Sequence, residues 1–141
     1  MYLKQSEATD CVELEQIHDG DGLIKRRKIF MESSRLPVII EIWEMDVGVS
    51  EGNHIHPDGD SAPFDSGVPF PIEEIYYINQ GSGVMIVDSE EIKITAGDAI
   101  MVPPGSDHGI FNTGHNPMKF TIIWGKPDTV WKESIGIHPL S

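Results

Sequence analysis

The clearest indication of the fold lies in residues 97–112, which read GDAIMVPPGSDHGIFN. This stretch opens with Gly97, reaches a Pro-Pro-Gly turn after five residues, and then places His108 and Asn112 with three residues between them. An earlier stretch, residues 48–56, reads GVSEGNHIH. Together with Glu74, the two stretches supply three imidazoles and one carboxylate, a set of side chains that can hold a metal ion if they converge.

Strand geometry explains how these side chains could converge. Residues i and i+2 of a strand share one face, so His54 and His56 can present their imidazoles to one point. Glu74 opens a second strand-like run, and His108 follows a turn that fixes the entry into its strand. Three nitrogens and one oxygen suit a divalent first-row metal such as Fe, Mn, Ni, Co or Zn.

Tyr76 is the candidate catalytic residue. Alternation places it on the same predicted face as Glu74, where its hydroxyl could act as a general acid or base or hydrogen-bond a substrate. The alternative is a packing residue that lines a barrel with its hydroxyl satisfied.

Short apolar and β-branched segments recur along the chain, and turn residues separate nearly all of them. Many short strands without a long amphipathic helix indicate an all-β sandwich or barrel. The predicted strands are residues 23–30, 37–47, 72–79, 83–87, 91–95, 99–102, 109–112 and 119–124. Residues 126–141 hold three apolar anchors, Val130, Trp131 and Ile135, and are predicted to form either a turn of helix or an extra strand.

Length and charge narrow the classes of function. A chain of 141 residues fits a single domain over residues 1–141. Ten Lys and Arg against 23 Asp and Glu give a net charge of −13, which disfavours nucleic acid and anionic membranes as partners. The first residues lack a signal-peptide pattern and no apolar run could span a bilayer, so we expect a cytoplasmic protein.

Cys11 is the only cysteine, which excludes an intrachain disulfide and a thiolate metal cluster. Its acidic surroundings would raise the pKa of the thiol, which disfavours a nucleophilic role.

Two further segments stand out. Residues 57–71 contain four prolines, three aspartates and two glycines, a composition typical of a long loop that is either functional or a tolerated surface insertion. The basic run Lys25 to Lys28 would alternate between the two faces of a strand. One face could meet an anionic substrate, but we favour a solvated edge that prevents aggregation.

The two stretches resemble the motifs of the cupin superfamily, G(X)5HXH(X)3–4E(X)6G and G(X)5PXG(X)2H(X)3N. The matching positions are Gly48, His54, His56, Glu74 and Gly81 in the first motif and Gly97, Pro103, Gly105, His108 and Asn112 in the second. The resemblance implies a double-stranded β-helix, or jelly-roll, barrel with a short C-terminal extension. It also implies turn-forming motif glycines, a metal held inside by His54, His56, Glu74 and His108, and pairing into a homodimer.

The first motif departs from this pattern because 17 residues separate His56 from Glu74. Glu73 could therefore replace Glu74 as the ligand, although the six residues between Glu74 and Gly81 favour Glu74. The inserted loop could also bring Asp58, Asp60 or Asp65 to the metal or cover the barrel mouth as a lid. His115 and His138 fall outside the motifs and are expected to be ordinary residues.

The resemblance admits several functions for such a site. We expect a metal-dependent enzyme acting on a small polar metabolite, with Fe(II) dioxygenase chemistry considered first because two neighbouring metal positions stay open. A metal acting as a Lewis acid in an isomerase, epimerase, decarboxylase or lyase is the alternative. A non-catalytic module that binds a sugar or another small effector is the third possibility.

Overall fold

The computed structural model describes residues 1–10, 12–55 and 71–139; Cys11, His56, most of the inserted loop and the last two residues lie outside the described residues. Within those ranges the chain forms ten strands and one short helix. Their bounds are β1 Glu13–Glu15, β2 Ile24–Ile29, β3 Ile39–Met45, β4 Ser50–His54, β5 Glu73–Gln80, β6 Ser82–Val87, β7 Glu90–Thr95, β8 Ala99–Val102, β9 His108–Phe111, β10 Met118–Gly125 and α1 Val130–Ser134. No helix in the described part of the chain is long and apolar enough to cross a membrane.

The strands form two antiparallel sheets, which confirms the predicted all-β jelly roll. Six strands pair in the order β1-β2-β3-β10-β5-β8, and four pair in the order β4-β9-β6-β7. Side chains in β10 alternate strictly between buried and half-buried positions, as expected for a strand with one face toward a core. The inner faces bury a single apolar cluster that includes Trp43, Met45, Ile78, Met85, Ile110 and Phe120.

Each of the eight predicted strands has a counterpart in the structure. The strand β1, which has three residues, was not predicted, and β4 was expected only through the shared face of His54 and His56, because Gly52 and Asn53 interrupt its alternation. The C-terminal segment forms a short helix, so the helical alternative is the correct one. Its side chains do not act as apolar anchors, because Val130 and Trp131 are 71% and 67% exposed.

The motif glycines lie in turns, as the motifs predict. The four motif glycines at 48, 81, 97 and 105 have φ between 83° and 95°, a region that side chains disfavour. Asn112 is buried and its amide donates to the carbonyls of Met45 and Asn116 at 3.0 and 2.9 Å. The second motif therefore closes the end of β9 against β3.

The first half of the basic run does not form a sheet edge, which corrects the favoured interpretation, whereas Arg27 and Lys28 have no register partner in β1. The strand β2 pairs with β1 on one side and β3 on the other. Arg26 points to the inner face, where its guanidinium lies 5.1 Å from the centre of the Trp43 ring and bonds the buried carboxylate of Glu41. Pairing on both sides, together with this buried ion pair, accounts for the difference from the prediction.

Candidate metal centre

Three of the four predicted metal ligands come together at one end of the barrel. His54 ends β4 and His108 begins β9, and the two residues are directly paired in register. Glu74 lies on the inner face of β5 in the opposite sheet. The candidate ligand atoms of His54, Glu74 and His108 all lie within 4.8 Å of one another. The fourth, His56, lies outside the described residues.

Backbone carbonyls orient both imidazoles. Nδ1 of His54 lies 2.9 Å from the carbonyl of Gly52, and Nδ1 of His108 lies 3.0 Å from the carbonyl of Ser106. Because a carbonyl only accepts, each Nδ1 carries the proton of that bond. Each Nε2 is therefore the atom that can bind a metal, the arrangement expected of a metal-binding histidine with a fixed tautomer.

Glu74 and His108 are already paired in this arrangement. Oε2 of Glu74 lies 3.1 Å from Nε2 of His108, and both residues are buried. Burial by itself would lower the pKa of His108, but the hydrogen bond and charge of Glu74 outweigh it and raise that pKa. The two groups share a proton at a position that a divalent cation could take. Glu73 lies on the opposite face of β5, as alternation requires.

A buried carboxylate that was not predicted, Glu51, lies beside these residues. It is 2% exposed, and its Oε1 accepts a 2.8 Å hydrogen bond from the hydroxyl of Tyr76. Burial, followed by the charge of Glu74, raises the pKa of Glu51 to about 8. Its sequence context, a single acid between glycine and serine in a weakly alternating strand, gave no signal that it faces the barrel interior.

Tyr76 lies on the inner face of β5 and is fully buried, and its hydroxyl is bonded to Glu51, which matches the alternative of a barrel-lining residue with a satisfied hydroxyl. Burial, together with the charges of Glu51 and Glu74, raises the pKa of its phenol well above the ordinary value. The hydroxyl therefore remains protonated near neutral pH and acts as a hydrogen-bond donor.

His18 is a second residue that sequence reasoning missed. Its ring is parallel to that of His54, with the centroids 3.5 Å apart and the planes 8° apart. The glycine-rich turn that follows His18 was recognised in the sequence, but nothing in the spacing indicated that the turn packs on β4. His115 and His138 are exposed and belong to neither group of candidate ligands found among the described residues.

The donors that are present fit a divalent transition metal. Two imidazole nitrogens and a carboxylate oxygen form the set that borderline first-row ions prefer. Glu51 and Glu74 are close enough for the charge of Glu74 to raise the pKa of Glu51. A dication would offset both buried carboxylates, which is one of the few ways in which proteins tolerate such charges.

A polar cavity of about 740 Å³ lies on the inner side of β1, β2 and β3. At its base, Glu41 accepts hydrogen bonds from Arg26 and from the indole N–H of Trp124, the latter at 2.8 Å. Trp124 lies opposite Glu74 in the register of β10 and β5. His54, Glu74 and His108 do not line this cavity, and the register pair of Trp124 and Glu74 is the link between the two regions.

Comparison with known proteins supports the barrel. Residues 71–124 match the cupin domain family. A 47-residue segment is 47% identical to the uncharacterized protein MJ1618 of Methanocaldococcus jannaschii, covering 33% of this chain and 38% of that protein. A 50-residue segment is 38% identical to an oxalate-binding protein of Thermotoga maritima, covering 36% and 41%. The matched segments thus span about two fifths of the length of these relatives.

The fold is also shared with solved structures. The crystal structure of a predicted oxalate decarboxylase from Thermotoga maritima superimposes with a TM-score of 0.74 at 22% identity, covering 89% of this chain and 100% of that one. Sequence identity at this level shows the common fold. Residues 71–124 thus match a cupin domain, and the chain has the two-sheet cupin barrel as its fold.

Proposed function

We propose that this chain is a metal-dependent enzyme that acts on a small polar metabolite. The observation that carries the proposal is the convergence of His54, Glu74 and His108 within 4.8 Å inside the barrel. The first motif adds His56 to this set. The ion would be Fe, Mn, Ni, Co or Zn, and when bound it would supply Lewis-acid activation of a carbonyl or carboxylate, or a site for dioxygen.

A carboxylate-bearing metabolite is the class of substrate that we favour. An ion held by His54, His56, Glu74 and His108 would leave room for a chelating pair of carboxylate oxygens. Arg26 and Lys28 line the adjacent cavity, although they already contact Glu41 and Glu13. Relatives named for oxalate support the same class, so oxalate is the first compound to test.

The donor set alone leaves two types of reaction open. The donor set is compatible with the Fe(II) dioxygenase that the sequence suggested and with non-redox chemistry. We place a decarboxylase or related lyase first, because the similar structure is described as a predicted oxalate decarboxylase. Tyr76 would hold its proton in a hydrogen bond to Glu51 and could donate toward a bound substrate only after that bond rearranges.

Turnover assays distinguish these reactions. For oxalate, decarboxylation would consume one proton and yield formate and carbon dioxide in equal amounts, without net oxygen consumption. The Glu74→Gln variant should lose at least about 100-fold in turnover, since it removes a ligand charge, whereas His115→Asn should match the wild type. Oxygen consumption in proportion to substrate would support the dioxygenase. Equal activity of Glu74→Gln and wild type would contradict the proposed metal site.

A non-catalytic binding module is the second candidate, and the oxalate-binding relative is the observation that favours it. In an enzyme, His56→Ala should lose metal and activity together. A binding module should retain its ligand without turnover. Calorimetric titration with oxalate, carried out on metal-free and metal-loaded protein, separates the two.

A further inference from the structure

The turn that carries His18 is fitted tightly against β4. A Cβ on Gly20 would lie 2.0 Å from the carbonyl oxygen of Ser50, and a Cβ on Gly52 would lie 1.9 Å from that of His18. Only glycine permits backbones to approach so closely. The N–H of Gly52 also donates to the carbonyl of Ile17 at 3.2 Å. The position of His18 beside β4 is therefore set by backbone packing.

The same turn holds His18 in an unfavourable backbone conformation. His18 and Asp19 have φ of 50° and 56°, a region that residues with a Cβ seldom adopt. Such a conformation is strained and persists only where the surroundings impose it. Here the surroundings place the imidazole directly on the ring of His54.

This arrangement creates a second group of potential ligands. The ligand atoms of His18, Glu51 and His54 lie within 4.8 Å of one another, and His54 also belongs to the group with Glu74 and His108. Oε2 of Glu51 lies 3.9 Å from Nε2 of His54, while Oε1 is bonded to Tyr76. One carboxylate oxygen thus faces the imidazole of His54 from the barrel interior.

We propose that His18, Glu51 and His54 form a second seat for a divalent transition metal, adjacent to the seat of His54, Glu74 and His108. The inference rests on the proposed function to the extent that His54 serves both. Nδ1 of His54 is hydrogen-bonded to the carbonyl of Gly52, so Nε2 is the atom that can ligate a metal in either seat. One ion therefore occupies one seat at a time. The second seat lies nearer to solvent, because His18 is exposed whereas His108 is buried.

Cobalt titration of the full chain, stripped of metal beforehand, tests the second seat. The variants are His108→Ala, which disables the first seat, His18→Asn, which disables the second, and the two combined. Asparagine tolerates positive φ better than most residues, so His18→Asn removes the imidazole with little change of the turn. The surface substitution His115→Asn is the matched control.

The His108→Ala variant should still bind about one Co²⁺ per chain, more weakly than the wild type. Adding His18→Asn should weaken that binding at least tenfold further. Glu51→Gln in the His108→Ala background should do the same, which provides a test if the His18 variant fails to fold. Equal affinities of His108→Ala, its His18→Asn derivative and its Glu51→Gln derivative would overturn the second seat.

The same titration separates this inference from the proposed function. If His108→Ala binds as tightly as the wild type while His18→Asn does not, the first seat is wrong and the second stands. If all affinity is lost with His108→Ala alone, the second seat is wrong and the first stands.

Discussion

The buried carboxylate of Glu41 offers a sharp test of how the barrel is held together. It is 2% exposed, and it accepts bonds from Nε and Nη2 of Arg26 and from the indole groups of Trp43 and Trp124. Although burial by itself would lower the pKa of Arg26, Glu41 and Glu15 raise it. Glu41→Gln removes the charge while keeping the shape of the side chain.

The expected loss follows from what remains buried. Arg26 would stay beside the Trp43 ring with its inner partner neutralised, and removing one member of a buried pair typically costs about 3 to 5 kcal/mol. Because glutamine retains one acceptor oxygen, we expect the lower end, about 3 kcal/mol in the free energy of unfolding. In a domain of this size that corresponds to a melting temperature lower by roughly 6 to 12 °C.

Urea unfolding followed by tryptophan fluorescence and circular dichroism measures this loss. The matched control is Glu15→Gln, which removes the other partner of the same Arg26. The side chain of Glu15 is 40% exposed, so its ion pair is worth at most about 1 kcal/mol. Equal losses in the two variants, or a loss below about 1 kcal/mol for Glu41→Gln, would show that the buried Glu41 charge does not stabilise the barrel through Arg26.

Three further outcomes are expected. Gly52→Ala should lower the melting temperature by several degrees, since its Cβ would collide with the carbonyl of His18; an unchanged temperature would show that the turn is loosely packed. Metal-free protein should lose stability as pH rises from 5 to 9, because the raised pKa values of Glu51 and His108 mean that the folded state holds protons which the unfolded chain releases. Glu51→Gln should flatten this decline, measured by urea titrations at several pH values. A decline as steep as that of the wild type would contradict the raised pKa of Glu51. Tyr76→Phe should cost about 1 to 2 kcal/mol, because Glu51 loses a buried hydrogen bond; urea unfolding with no loss would argue against that bond.

The barrel could be predicted because its signals are local. Alternating apolar residues and the motif glycines mark strands and turns within a few residues of one another. The convergence of His54, Glu74 and His108 was also accessible, since two short motifs supply all three. The basic run was misassigned because its place in the sheet depends on β1, whose three residues give too short a pattern to recognise.

The missed residues depend on long-range packing. His18 reaches His54 only because Gly20 and Gly52 let two distant segments touch, and a spacing rule carries no information on such contacts. Glu51 is polar in a strand whose alternation is interrupted, so its burial appears only once the opposite sheet is in place. Both residues belong to the same end of the barrel as the motif ligands.

Retention of a metal ion by the purified chain is the property that both groups of ligands should produce. Purified protein is reconstituted with Co²⁺ or Mn²⁺, freed of loose ions by gel filtration, and analysed for metal by elemental mass spectrometry beside His54→Ala. Because His54 belongs to both groups of ligands, we expect about one ion per wild-type chain and a loss of at least tenfold in the variant. Wild-type protein without retained metal, or equal metal in the two proteins, would contradict it.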